Sequence, residues 1–156
     1  MIKPLILFFL LAICSVTVFA ENNAVEVGTL VSTGSIKAIF TEFRNNNGKL
    51  AVFLFNSKAG FPVKSDRAFA KKIVQVSVPQ CEVVFEGIPY GTYAISAYHD
   101  ENTNGKLDTT FLLGIPKEGV GCSNNPKSRF GPPSFADAKF NLDSQEVGVN
   151  IEIKYF

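Results

Sequence analysis

Along most of this chain, apolar residues alternate with polar ones at every second position. The last stretch, EVGVNIEIKYF, puts Val147, Val149, Ile151, Ile153 and Tyr155 on one face and Gly148, Asn150, Glu152 and Lys154 on the other. A period of two is what a strand buried on one face requires. The same pattern places Val74, Val76 and Val78 together in KIVQVSVP, and Cys81, Val83 and Phe85 in CEVVFEG. In GTYAISAYHD it sets Tyr93, Ile95 and Ala97 against Ala94, Ser96 and Tyr98.

Two further strands, SIKAIFTEF and KLAVFLFN, flank RNNNG, and Asn47-Gly48 predicts a tight hairpin turn because both residues tolerate positive φ. Leu50 to Phe55 is apolar on both faces, which predicts a central strand covered on both sides. AVEVGTLVS would add an edge strand. SDRAFAKK is the one helical candidate, with Ser65 as its N-cap. Strands at short spacing with little helix predict an all-β fold, an antiparallel Greek-key β-sandwich.

The segment FEGIPYGTY resembles the turn of prealbumin-like and carboxypeptidase-regulatory-like sandwiches. Pro89 fixes φ, Gly91 opens the turn, and Phe85 and Tyr93 can close one end of the core.

Residues 1–20 read differently from the rest. Lys3 precedes an apolar run from Leu5, and small or apolar residues lead to Val18-Phe19-Ala20. This is the order of a cleavable secretory signal, too short for a membrane span. Ile13 before Cys14 argues against a lipid anchor. The expectation is a secreted or periplasmic single domain of residues 21–156, with no membrane span after cleavage. Taken over the whole chain, a net charge of +1 with mixed signs gives no electrostatic case for nucleic acid or an anionic membrane. Cys81 and Cys122 remain after cleavage and are candidates for a disulfide in an oxidising compartment. A single histidine and two cysteines cannot complete a structural zinc site.

The forty-odd residues after the strand ending at His99 lack clear periodicity and are expected to form a long ordered loop (about 100–144) capping one end of the sandwich. Phe111, Leu112, Leu113, Ile115, Phe130, Phe135 and Phe140 would anchor it, and FADAKF could form a helical turn. From Phe85 to Phe140 the order of features, including HDENTNGKLDTTFLLGIPKEGVGCSNN and GPPSFADAKF, resembles an uncharacterised exported bacterial family, domain of unknown function 2141. That resemblance implies a prealbumin-like sandwich and export, and no established activity. Cys122 stands where such sequences usually carry an aromatic.

Candidate chemistry concentrates in DENTNGKLD. An EF-type calcium loop supplies oxygens from positions one, three, five, seven and nine, with glycine at six and a carboxylate at twelve. Asp100, Asn102 and Asn104 fill the first three, Gly105 the sixth, the Lys106 carbonyl the seventh and Asp108 the ninth. Phe111 at the twelfth cannot ligate, so Glu118 or Asp137 must supply the missing carboxylate, with Glu118 favoured. The competing reading is a polar turn, since Asn, Asp and Gly are turn residues in any case.

His99 and Asp100 are neighbours on a strand and point to opposite faces, so they form no catalytic pair. A hydrogen-bonded His99 positioning the cap is the expectation. Ser123 lacks the surroundings of a nucleophile elbow and, with Asn124, is expected to bond within a turn. Lys117, Ser123, Asn124 and Arg129 become contacts to a ligand only if the cap encloses a pocket. The sequence therefore points to a non-catalytic, envelope-associated binding or structural module with a structural calcium ion. Its partner would be an unidentified protein or small molecule. A small-ligand carrier and a small hydrolase using the cap are the alternatives.

Overall fold

The computed structural model describes residues 31–127 and 131–156. The leader, nearly all of AVEVGTLVS, Arg129 and Phe130 lie outside the described residues; Val31 and Ser32 belong to no strand.

Among the described residues, eight strands form two sheets. They are β1 (Thr33–Thr41), β2 (Lys49–Phe55), β3 (Ala70–Gln75), β4 (Cys81–Pro89), β5 (Gly91–Asp100), β6 (Gly119–Cys122), β7 (Phe140–Leu142) and β8 (Glu146–Glu152). One sheet runs β4-β1-β8; the other runs β3-β2-β5-β6, with β7 pairing against the start of β5. The sandwich core lies between them. Ile36, Ala38 and Phe40 of β1, with Val83 and Phe85 of β4 and Val149 and Ile151 of β8, meet Leu50, Val52 and Leu54 of β2 and Tyr93, Ile95 and Ala97 of β5. The sets from β4, β5 and β8 are those that the alternation predicts. Burying each large apolar side chain stabilises the fold by roughly 1.5–3 kcal/mol.

The doubly apolar β2 is explained by a second cluster. Ala51, Phe53 and Phe55 face away from the sandwich core and are covered by Phe61, Ala68, Tyr98 and Phe135. Phe135 comes from the one α-helical turn, α1 (Phe135–Ala138), closed at its N-terminus by a Ser134–Asp137 capping box.

Four expectations are corrected here. First, Asn47-Gly48 does not close a hairpin: β1 pairs with β4 and β8, whereas β2 pairs with β3 and β5, so the chain crosses between sheets. Gly48 does take a positive φ of 66°, but it is used for a close pass over the end of β5. Second, the β1–β8 pairing is parallel, so the sheets are not uniformly antiparallel. Third, SDRAFAKK is not a helix. Only Ser65–Arg67 form a 3-10 turn, without a side-chain cap bond, and β3 takes over from Ala70 because Val74 can pack on the core there.

Fourth, the 100–144 stretch is not a cap. β6 pairs beside β5, and β7 also pairs with β5, so both belong to the sandwich itself. The connection between β5 and β6, residues 101–118, remains a loop.

A candidate calcium loop at the end of a strand pair

The β5–β6 ladder pairs His99 with Gly119. One step further along this register, Asp100 at the end of β5 stands opposite Glu118, just before β6. Both carboxylates are buried, Glu118 to 4% exposure. Like charges directly opposite each other on a ladder repel. The ion pairs among the described residues are Lys37–Glu82 and Arg44–Glu101, so neither acid is in a direct ion pair, although the Arg44 guanidinium lies near enough to Glu118 to feel its charge.

Their partners are backbone N–H groups. Asp100 Oδ1 accepts from Asn104 N at 3.0 Å and Oδ2 from Gly105 N at 2.8 Å. Glu118 Oε1 accepts from Glu101 N and Oε2 from Asp108 N, both at 3.0 Å. A carboxylate offers about four lone-pair sites, so each retains acceptor capacity.

The amides complete the loop. Asn102 Oδ1 accepts from Asn104 N, and Asn104 Oδ1 from Lys106 N, each at 3.0 Å. Their Nδ2 groups donate to Asp108 Oδ2 at 2.8 and 3.0 Å, which holds the Asp108 carboxyl below its ordinary range. Gly105 has a φ of 78°, in the left-handed region, and its carbonyl accepts from the Tyr98 hydroxyl at 3.1 Å.

The structure thus brings together Asp100, Asn102, Asn104, Lys106, Asp108 and Glu118 in one hydrogen-bonded loop. Asp137 is not part of it, being engaged in capping α1. Among the described residues no three His, Cys, Asp or Glu side chains are by themselves arranged to hold a metal ion. The donor set at this loop is instead mixed, with carboxylate, carboxamide and peptide oxygens, the chemistry suited to a hard cation such as calcium.

Sequence reasoning missed the brace beside the loop. Glu101 accepts from the Arg44 guanidinium and from Asn45 Nδ2, the latter at 2.7 Å, and the Arg44 bond is the main reason its carboxyl lies below the usual range. Arg44 also sits 4.4 Å from the centre of the Tyr155 ring. Only the crossing of the β1–β2 connection over the end of β5 brings these residues together.

His99 is fully buried. Its Nε2 lies 2.6 Å from the Asn47 carbonyl, which can only accept, so Nε2 donates. In the neutral ring Nδ1 then accepts from the Tyr155 hydroxyl at 2.7 Å. His99 therefore fastens the β1–β2 connection and the C-terminal segment rather than a cap.

Ser123 is also buried. Its Oγ accepts from Ile95 N at 2.9 Å and donates to the Ala138 carbonyl at 2.5 Å, while Asn124 Nδ2 donates to the Lys139 carbonyl at 2.9 Å. Both act as structural bonds of the turn after β6. Lys117 is exposed, and its peptide N–H closes the base of the loop on the Asp108 carbonyl at 2.9 Å.

The Cys81–Cys122 bridge is not formed; both thiols are free. Cys81 lies in the sandwich core, and its Sγ accepts from Ser77 N at 3.1 Å. Cys122 stands opposite Ser96 on β5, and Ser96 in turn opposite Phe53 on β2, which places Cys122 on the outer face of the five-stranded sheet. The five-stranded sheet therefore separates the two thiols, Cys81 on its core side and Cys122 on its outer side. Burial pushes the Cys122 thiol up to about 12.

An open two-sheet sandwich with an acidic, amide-rich loop at the end of one strand pair is the class that fold and site define. Residues 39–150 match the model of DUF2141, described as an uncharacterized protein conserved in bacteria. The chain belongs to that family. Neither the curated proteins nor the solved structures returned a match.

Proposed function

We propose that this protein is an exported, non-catalytic binding or structural module of the bacterial envelope whose 100–118 loop is stabilised by one calcium ion. The observation that carries the reading is the opposed pair Asp100 and Glu118. Two buried carboxylates with only peptide N–H partners leave negative charge in a low-dielectric site, and such charge is costly unless neutralised. A divalent cation held by Asp100, Asn102, Asn104, the Lys106 carbonyl, Asp108 and Glu118 would remove that cost. The ion's role is structural, since the neighbouring His99 side chain is spent on hydrogen bonds within the fold.

Export rests on residues 1–20, whose charge and hydropathy order is that of a cleavable signal. Among the described residues no helix is long and apolar enough to cross a membrane.

Tyr98 provides the test, because its hydroxyl bonds the Gly105 carbonyl inside the loop and can sensitise a bound lanthanide. Terbium luminescence should rise to a one-to-one end point and be displaced by calcium with an affinity of about 0.1–1 mM, the weak extracellular class. Sensitised emission that persists unchanged in Asp100→Ala would overturn the reading.

A further inference from the structure

Between Asp108 and Lys117 the loop rises into a small hairpin whose tip is wholly apolar. Thr109 bridges Pro116, and Thr110 N donates to the Ile115 carbonyl at 2.8 Å. Gly114 N returns to the Thr110 carbonyl at 3.0 Å, and Ile115 N to Thr110 Oγ1 at 3.0 Å. The tip is therefore a bonded turn with a fixed shape. Glu118 holds its base through the Asp108 N–H. Phe111, Leu112 and Leu113 were expected to anchor this segment on the core. Instead they are 99%, 87% and 76% exposed.

Single exposed apolar residues are ordinary, but three consecutive large ones at the apex of a braced hairpin are not. We propose that Phe111, Leu112 and Leu113 insert into the surface of a lipid bilayer with anionic headgroups.

Two features select this occupant over a protein. The patch is convex and exposed nearly all round, so a binding protein would need a preformed socket, whereas a bilayer yields to a wedge a few residues long. Two lysines also flank the hairpin in the sequence, Lys106 before it and Lys117 directly after Pro116. Lys106 and Lys117 are both exposed and both close enough to Asp108 to help draw its carboxyl down. Asp108 lies between these lysines and offsets one of their charges, while of the other acids of the loop Asp100 and Glu118 are buried and Glu101 is paired with Arg44. Apolar side chains at the headgroup boundary beside basic residues form a recognised interfacial anchor.

The chain contains no Trp, so Leu112→Trp installs a single reporter at the tip. With vesicles of phosphatidylethanolamine and phosphatidylglycerol its emission should shift to the blue, and the protein should sediment with the lipid. The triple change Phe111→Ser, Leu112→Ser, Leu113→Ser should lower binding by at least about tenfold, and Lys106→Gln with Lys117→Gln by about fivefold for each lysine. Running every arm in calcium and again in chelator separates this result from the fate of the cation site. Circular dichroism of each variant excludes unfolding as the cause of any loss. Unshifted emission and no sedimentation in both buffers would overturn the proposal. So would a triple-serine variant that binds vesicles as wild type does, or one that loses only self-association by analytical ultracentrifugation.

Discussion

Replacing Glu118 by alanine tests the loop's energetics from two directions at once. The carboxylate accepts the peptide N–H groups of Glu101 and Asp108, both at 3.0 Å. Hydrogen bonds to a charged group contribute roughly 1.5–3 kcal/mol each. Both donors belong to half-buried residues that water can reach once the carboxylate is gone, which sets the loss near about 2–4 kcal/mol. In chelator this loss is offset in part, because the variant also removes the repulsion from Asp100.

In calcium the offset vanishes, since the ion already neutralises the pair in the wild type. At a calcium concentration tenfold above the dissociation constant, native-state binding adds about 1.4 kcal/mol, which the variant forfeits. Urea unfolding of both proteins in both buffers gives the four free energies. Glu118→Ala should cost at least about 1.4 kcal/mol more in calcium than in chelator. Equal costs in the two buffers would refute the coupling between Glu118 and the ion, and a cost near zero in both would refute the bracing role as well.

Further outcomes concern the packing at Gly48, the two thiols and the N-terminus. Gly48→Ala should destabilise the fold by about 2 kcal/mol or more in urea unfolding, because Gly48 has positive φ and a Cβ there would collide with the Asp100 carbonyl and lie 2.7 Å from Glu101 Cα; an unchanged midpoint would contradict that packing. Mature protein denatured without reductant should titrate as two thiols. In the native state Cys122 should alkylate at pH 8 at least about a hundredfold more slowly than an ordinary thiol. Its neutral form favours the native state, so the stability it confers is complete below pH 9 and is lost as pH rises toward 12, a slope that Cys122→Ala should reduce. Intact mass of exported protein should place the N-terminus at Glu21, and retained Met1 or a lipid on Cys14 would contradict cleavage after Ala20.

Much of the sandwich was legible because alternation reports burial directly. Val83, Phe85, Tyr93, Ile95, Val149 and Ile151 are all in the core their period assigned them. Pairing was less legible. Asn47-Gly48 carries turn chemistry that serves a hairpin and an inter-sheet crossing equally well, and the choice depends on distant partners of β1 and β2. The SDRAFAKK stretch reads as helix by propensity, but tertiary contact of Val74 overrides it.

At the candidate site, the alternating spacing of Asp100, Asn102 and Asn104 could be read from local sequence, and that Glu118 joins the loop from the count of available carboxylates. The burial of Asp100 and Glu118 could not, since it follows from the β5–β6 register. Nor could the exposure of Phe111, Leu112 and Leu113, because a sequence records apolar character and not whether anything packs against it.

Thermal unfolding of the mature wild-type protein in calcium and in chelator tests the central claim most directly. At 10 mM calcium and a dissociation constant of about 1 mM, native-state binding should add about 1.4 kcal/mol. For a domain of this size that is an upward shift in Tm of roughly 4–6 °C. Asp100→Ala should show no such shift, because it removes one of the two opposed carboxylates. A wild-type Tm that is the same in calcium and in chelator would contradict the account, leaving the loop a hydrogen-bonded turn and nothing more.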